Sequence, residues 1–146
     1  MKPVSVFDVA SFILYKKGEM TTMKLQKLVY YCQAWSLVWD SEPLFKESIE
    51  AWANGPIVRE LYKEHKGEFK IASLAKGNPE ILAKDQRQTV EAVLDFYGDK
   101  TPHYLSNLTH AEDPWRNARE GLAPGQRGHR QITHDAMAEY YEGLSS

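Results

Sequence analysis

The sequence predicts a mainly α fold: a compact helical domain around one central apolar helix, with a small two-stranded β element. Three observations carry this. Several segments open on a helix-capping residue and close on glycine, residues 22–39 are apolar on nearly every helical face, and residues 49–53 alternate in the period of a strand. The chain has 146 residues, 42% of them hydrophobic and 26% charged, enough for one domain with a real core. Residues 1–146 are read as that single domain, since neither an internal repeat nor a linker interrupts them.

The elements follow in order. Ser5 and Asp8 have capping-box spacing, Val4 can staple onto Val9, and "VFDVASFILYKK" stops at Gly18. The second helix starts near Thr21 or Thr22 and runs to about Trp39. Leu25, Leu28, Val29, Cys32, Trp35 and Trp39 follow helical spacing, while Tyr30, Tyr31, Ala34, Leu37 and Val38 fill the other faces, which marks a helix surrounded by its own protein. "SEPLF" is a turn and "KESIEAWA" a short strand. "PIVRELYKEHK" reads as a helix starting at Pro56, with Ile57, Val58, Leu61 and Tyr62 inward. "GEFKIAS" is a second short strand pairing with the first, and it must lie on helices because a two-stranded ribbon is marginal alone. Asn78-Pro79 reads as the cap and first residue of a helix ending at Gly98. A helix spans Pro102 to about His110, and a short one capped by Asp113 stops at Gly121. "LAPGQRGHRQ" is a loop. Thr133 caps the last helix, with an Ile132–Met137 staple and Gly143 as its stop.

Composition narrows the function classes. A net charge of −2 and a pI near 6.2 argue against general nucleic-acid binding. The lone Cys32 has no internal disulfide partner, and the N-terminus "MKPVSVFDVA" lacks a signal-peptide core, so a cytoplasmic location is expected. The longest apolar run, "LVYYCQAWSLVW", is too short for a membrane span.

Four constellations bear on chemistry. Gly55-Pro56 forces the chain from strand to helix within about a residue, either as a rigid corner satisfied internally or as a helix N-terminus open to a partner carboxylate or, least of all, a phosphate. In "LTHAEDPWRNARE", His110 and Glu112 suggest acid–base work, against the plainer reading of a capped corner with His110 bonded to backbone and Trp115 as an anchor. His103, His110, His129 and His134 lack zinc-ligand spacing, Cys32 lies in the most apolar stretch, and no Gly-x-Ser-x-Gly elbow exists, so no metal, cofactor or nucleophile is expected. From Arg116 to Arg130, Arg116, Arg119, Arg127 and Arg130 face Glu120 alone. That is either a solvated loop or a steering patch for an acidic partner.

"MKLQKLVYYCQAW" at 23–35, "PLFKESIEAWANGPIVRELY" at 43–62 and "LTHAEDPW" at 108–115, in that order, resemble the Panacea domain, an antitoxin domain of many bacterial and phage toxin–antitoxin pairs. The resemblance covers essentially the whole chain and rests on Lys24, Leu25, Lys27, Leu28, Trp35, Gly55, Pro56, His110, Pro114 and Trp115. It implies a helical antitoxin, with phage defence among its settings, that neutralises a separately encoded toxin by protein–protein contact and without catalysis. A proteolytic adaptor handing the toxin to a protease, or an enzyme reversing the toxin's effect through His110 and Glu112, are the alternatives. The extra DNA-binding region of many relatives has no counterpart here, which makes operon autoregulation by direct DNA binding doubtful. For the contact surface, Trp52 (opposite Ile49, Ala51 and Ala53 on the strand, and equally readable as a core residue), Asn54, Gly55, Arg116, Arg119, Arg127 and Arg130 are the candidates, because exposed aromatic and arginine side chains anchor interfaces.

Overall fold

In the computed structural model, residues 4–145 are described. Among them are seven helices and two small sheets: α1 (Val6–Lys17), β1 (Met20–Thr21), α2 (Thr22–Trp39), β2 (Ile49–Trp52), β3 (Gly55–Val58), α3 (Arg59–His65), β4 (Lys70–Ile71), α4 (Lys84–Tyr97), α5 (Pro102–His110), α6 (Asp113–Ala118), β5 (Gln131–Ile132) and α7 (His134–Ser145). The mainly α expectation holds, and α2 is the central post. Every residue from Leu25 to Ala34 is buried, and α1, α4, α5, α7 and β3 pack round it. No helix among the described residues is long and apolar enough to cross a membrane.

Caps that act locally form as the sequence dictates. The Ser5 hydroxyl accepts from Asp8 N–H at 3.2 Å, and the Asp8 carboxylate accepts from Ser5 N–H at 2.9 Å. Thr21, Thr101 and Thr133 cap α2, α5 and α7 through their hydroxyls.

Five features differ. The Gly55-Pro56 corner does not start a helix. β2 turns through Ala53 and Asn54 into β3, pairing Trp52 with Gly55 and Ala51 with Pro56, and α3 begins only at Arg59. β-branched Ile57 and Val58 favour the strand, and Pro56 is tolerated because β3 is an edge strand. β4 pairs with β1 rather than β2, whose second neighbour is β5, so there are two sheets where one ribbon was expected. Asn78 forms a turn in which its side chain accepts from Glu80 N–H at 2.9 Å, and α4 starts later, with Gln86 bonded back to Ala83 N–H at 2.8 Å. α7 runs through Gly143, and Glu112 rather than Asp113 holds the N-cap position of α6, without a side-chain bond to the helix.

Two glutamines of α2 satisfy buried backbone groups outside the strand ladders, Gln26 on the edge strand β3 and Gln33 on residues 44–45. Gln26 and Gln33 lie seven residues apart, on one face of α2. Gln26 Oε1 accepts from Val58 N–H at 2.9 Å while its amide donates to Val58 C=O at 3.3 Å, so the side chain stands in for a neighbouring strand along β3. Gln33 Oε1 accepts from Leu44 and Phe45 N–H at 2.8 and 3.2 Å, and its amide donates to Phe45 C=O at 2.8 Å. Gln33→Leu strands these buried backbone groups and is expected to cost about 2 kcal/mol. A lower urea midpoint with an unchanged slope checks it, and an unchanged midpoint refutes the clamp.

Candidate functional site: a basic cleft and an aromatic groove

The cleft grows out of the β2–β3 hairpin. Alternation along β2 buries Ile49 and Ala51 and turns Glu50 and Trp52 outward. Trp52 is pinned: its indole N–H donates to Glu50 Oε1 at 2.8 Å, the Arg59 guanidinium lies 5.5 Å from its ring, and Tyr62 meets it edge-on at 4.9 Å. Arg59 also pairs with Glu50 at 2.8 Å. Partial burial pushes the Glu50 pKa up, but the bonds from Arg59 and Trp52 outweigh it and hold the carboxyl below its usual value.

The arginine-rich loop folds back over this hairpin. Arg119 is buried, donating to Ala51 C=O at 3.1 Å and to the carbonyls of Ala123 and Gln126, and stacks over Trp115. It fastens the loop. Arg130 lends its carbonyl to Ala51 N–H at 2.8 Å and its guanidinium to Glu120 C=O. Arg127 is exposed and lines a cleft of about 270 Å³ with Trp52, Ala53, Asn54, Arg59, Gly128 and His129. Arg116, on α6, lies outside it, 3.8 Å from Asp113. Of the residues proposed from sequence, the fold therefore brings Trp52, Asn54 and Arg127 together. Gly55 is buried behind Asn54 with its backbone at φ +128°.

His110 and Glu112 are turned to different neighbours. The His110 ring stacks on Trp115 at 4.0 Å with 9° between planes. Burial lowers its pKa, against a backbone hydrogen bond at Asn54 that raises it, and the charges of Lys27 and Arg119 lower it further. Glu112 Oε1 accepts from the Tyr31 and Tyr141 hydroxyls, each at 2.7 Å, and Tyr30 extends the chain to Tyr141 at 3.0 Å. Burial raises the Glu112 pKa, opposed by the two tyrosine bonds. No hydrogen bond joins His110 to Glu112 among the described residues.

A second surface escaped the sequence reading. Trp39, Phe96, Tyr104 and Leu144 are 48%, 67%, 49% and 54% exposed, four of the eight large exposed apolar side chains among the described residues. With Trp35, Tyr97, Leu108 and Glu112 they line one groove of about 590 Å³ between α2, α4, α5 and α7. Its walls are rigid: Trp35 stacks on Trp39 at 5.0 Å and donates to the Tyr97 hydroxyl at 3.0 Å. The available signal was Phe96, which falls off the apolar stripe formed by Val90, Val93, Leu94 and Tyr97.

The fold and these surfaces define a mainly helical domain: one central helix with a buried middle, a β rim and an open aromatic groove. The family described as antitoxin SocA-like, Panacea domain, matches residues 25–116, more than half the chain. The chain belongs to that family. No curated protein and no solved structure matches it.

Proposed function

We propose that this protein is a cytoplasmic antitoxin that neutralises a separately encoded toxin by binding it directly and covering its working surface. The observation that carries this reading is the aromatic groove: a chain of an antitoxin family leaves large apolar side chains of α2, α4, α5 and α7 exposed together, and such patches mark interaction sites. The basic cleft of Trp52, Asn54 and Arg127 supplies the electrostatic part of the contact, with Gly55 and Arg119 holding it in shape and Arg116 and Arg130 adding to the surrounding positive field. His110 stacks on Trp115 with its Nε2 buried and without a hydrogen-bond partner among the described residues, and the tyrosines take one oxygen of Glu112. No hydrogen bond among those residues pairs the two as an acid–base couple, which weighs against the enzyme alternative. A DNA-binding repressor would have to read with the helix beginning "TTMKLQKLVYY", which is α2, and that helix is buried from Leu25 to Ala34.

Co-expression with the toxic reading frame beside its gene tests this. Growth is restored and the two chains co-purify. No rescue and no complex with any neighbouring frame sinks the reading. Rescue with a shortened toxin half-life, rather than a stable complex, identifies delivery to a protease. Within the cleft, Trp52→Ala and the Arg127→Ala/Arg130→Ala pair are each expected to weaken toxin binding about 10-fold, read by titration calorimetry on folded variants. Unchanged affinity in both removes the cleft from the interface.

A further inference from the structure

The aromatic groove has a polar floor. Glu112 is only 5% exposed, yet it lines the groove. Both tyrosine bonds fall on Oε1, and Oε2 has no hydrogen-bond partner among the described residues. Trp35, Trp39, Phe96, Tyr97 and Tyr104 line the same groove, and no lysine or arginine does. Lys100 sits 5.2 Å from the Tyr104 ring without lining it. The adjoining groove across Leu144 adds Glu139 and Asp113, the latter facing Arg116 at 3.8 Å, and no basic side chain lines it. Aromatic faces attract cations through their quadrupole, a buried carboxylate oxygen favours a charged donor, and the apolar walls suit an aliphatic stem.

From this combination we infer that the groove receives an arginine or lysine side chain of the toxin, its stem between Trp39 and Phe96 and its cation on Glu112 Oε2. The inference rests on the toxin-binding reading and adds the chemistry of the anchor. It also gives the protein two contacts of opposite sign, a basic cleft and an acid-floored groove, so that a toxin surface must match both charges to dock.

The test uses N-acetyl-arginine methylamide as probe and its norleucine counterpart as apolar control, followed by the indole N–H signals of Trp35 and Trp39 in NMR. The arginine probe is expected to shift both signals and to bind at least 10-fold more tightly than the norleucine probe. E112Q, which keeps an oxygen for both tyrosine hydroxyls, is expected to abolish that preference, and W39A with F96A to abolish binding. Equal binding of the two probes, or an arginine preference that survives in E112Q, overturns the inference, as does self-association through the groove that F96A disperses. A rescue assay separates the two readings. If the natural chain rescues growth and E112Q rescues equally, the anchor fails while the antitoxin function stands. If the natural chain fails to rescue although the probe binds, the function fails and the cation site stands.

Discussion

Gly55→Ala is expected to lower the melting temperature by roughly 10 °C. Two independent costs add. Gly55 has φ +128°, a backbone conformation that a β-carbon strains by roughly 1–3 kcal/mol. That β-carbon also falls 2.5 Å from Lys27 Cε and 3.0 Å from Lys27 Nζ. A lysine tip in solvent swings aside at little cost, but Lys27 is fully buried against the core, so overpacking adds roughly 1–3 kcal/mol. Together these are a large share of a marginal stability. A double-mutant cycle with Lys27→Ala separates them, because removing the Lys27 stem relieves the clash and leaves the backbone strain. A Gly55→Ala variant that melts within about 2 °C of the parent refutes both.

The same glycine shows why part of the fold was legible and part was not. Ser5 with Asp8, Thr21, Thr101 before Pro102, and Thr133 each act on a backbone N–H within three residues, so composition and spacing suffice to place them. At residues 54–56 two local signals compete. Gly-Pro reads as a helix start, whereas Asn-Gly after an alternating run reads as a hairpin, and the partner strand decides for the hairpin. Ala53 and Asn54 keep negative φ, so Gly55 supplies the positive value the turn needs. Asn78 is the mirror case: the side chain that suits a helix cap serves a turn equally well, and its bond to Glu80 takes the second course.

What no local pattern encodes is pairing across the chain. Gln26 and Gln33 look like polar breaks in an apolar helix until Val58 and Phe45 arrive to use them, 32 and 12 residues away. Glu112 looks like an acid beside a histidine until Tyr31 and Tyr141 claim its Oε1. The cleft was partly legible because strand alternation exposes Trp52. Arg119 was not, since burial among loop carbonyls depends on how that loop returns over Ala51.

Lys27→Met is expected to stabilise the protein at neutral pH. The Lys27 side chain is fully buried, its Nζ has no hydrogen-bond partner among the described residues, and desolvation alone pushes its pKa down from 10.5 to about 8. Below pH 8 both folded and unfolded chains carry the proton, and the full cost of the buried ammonium, about 3 kcal/mol, opposes folding. Between pH 8 and 10.5 the folded chain releases the proton while the unfolded chain keeps it, so stability rises with pH through this window. Above it the group no longer matters. Methionine fills a similar volume without the charge, and replacing a buried charge by an apolar side chain of like size is commonly neutral or stabilising. The variant is therefore expected to melt several degrees above the parent at pH 7, with the gap closing toward pH 10. Tyr30, Tyr31 and Tyr141, whose pKa values burial raises, lower the stability of both chains at alkaline pH and cancel in the difference. Parallel melts from pH 6.5 to 10 measure it, and a parent more stable than the variant at every pH would mean that Lys27 has a favourable partner in the folded chain.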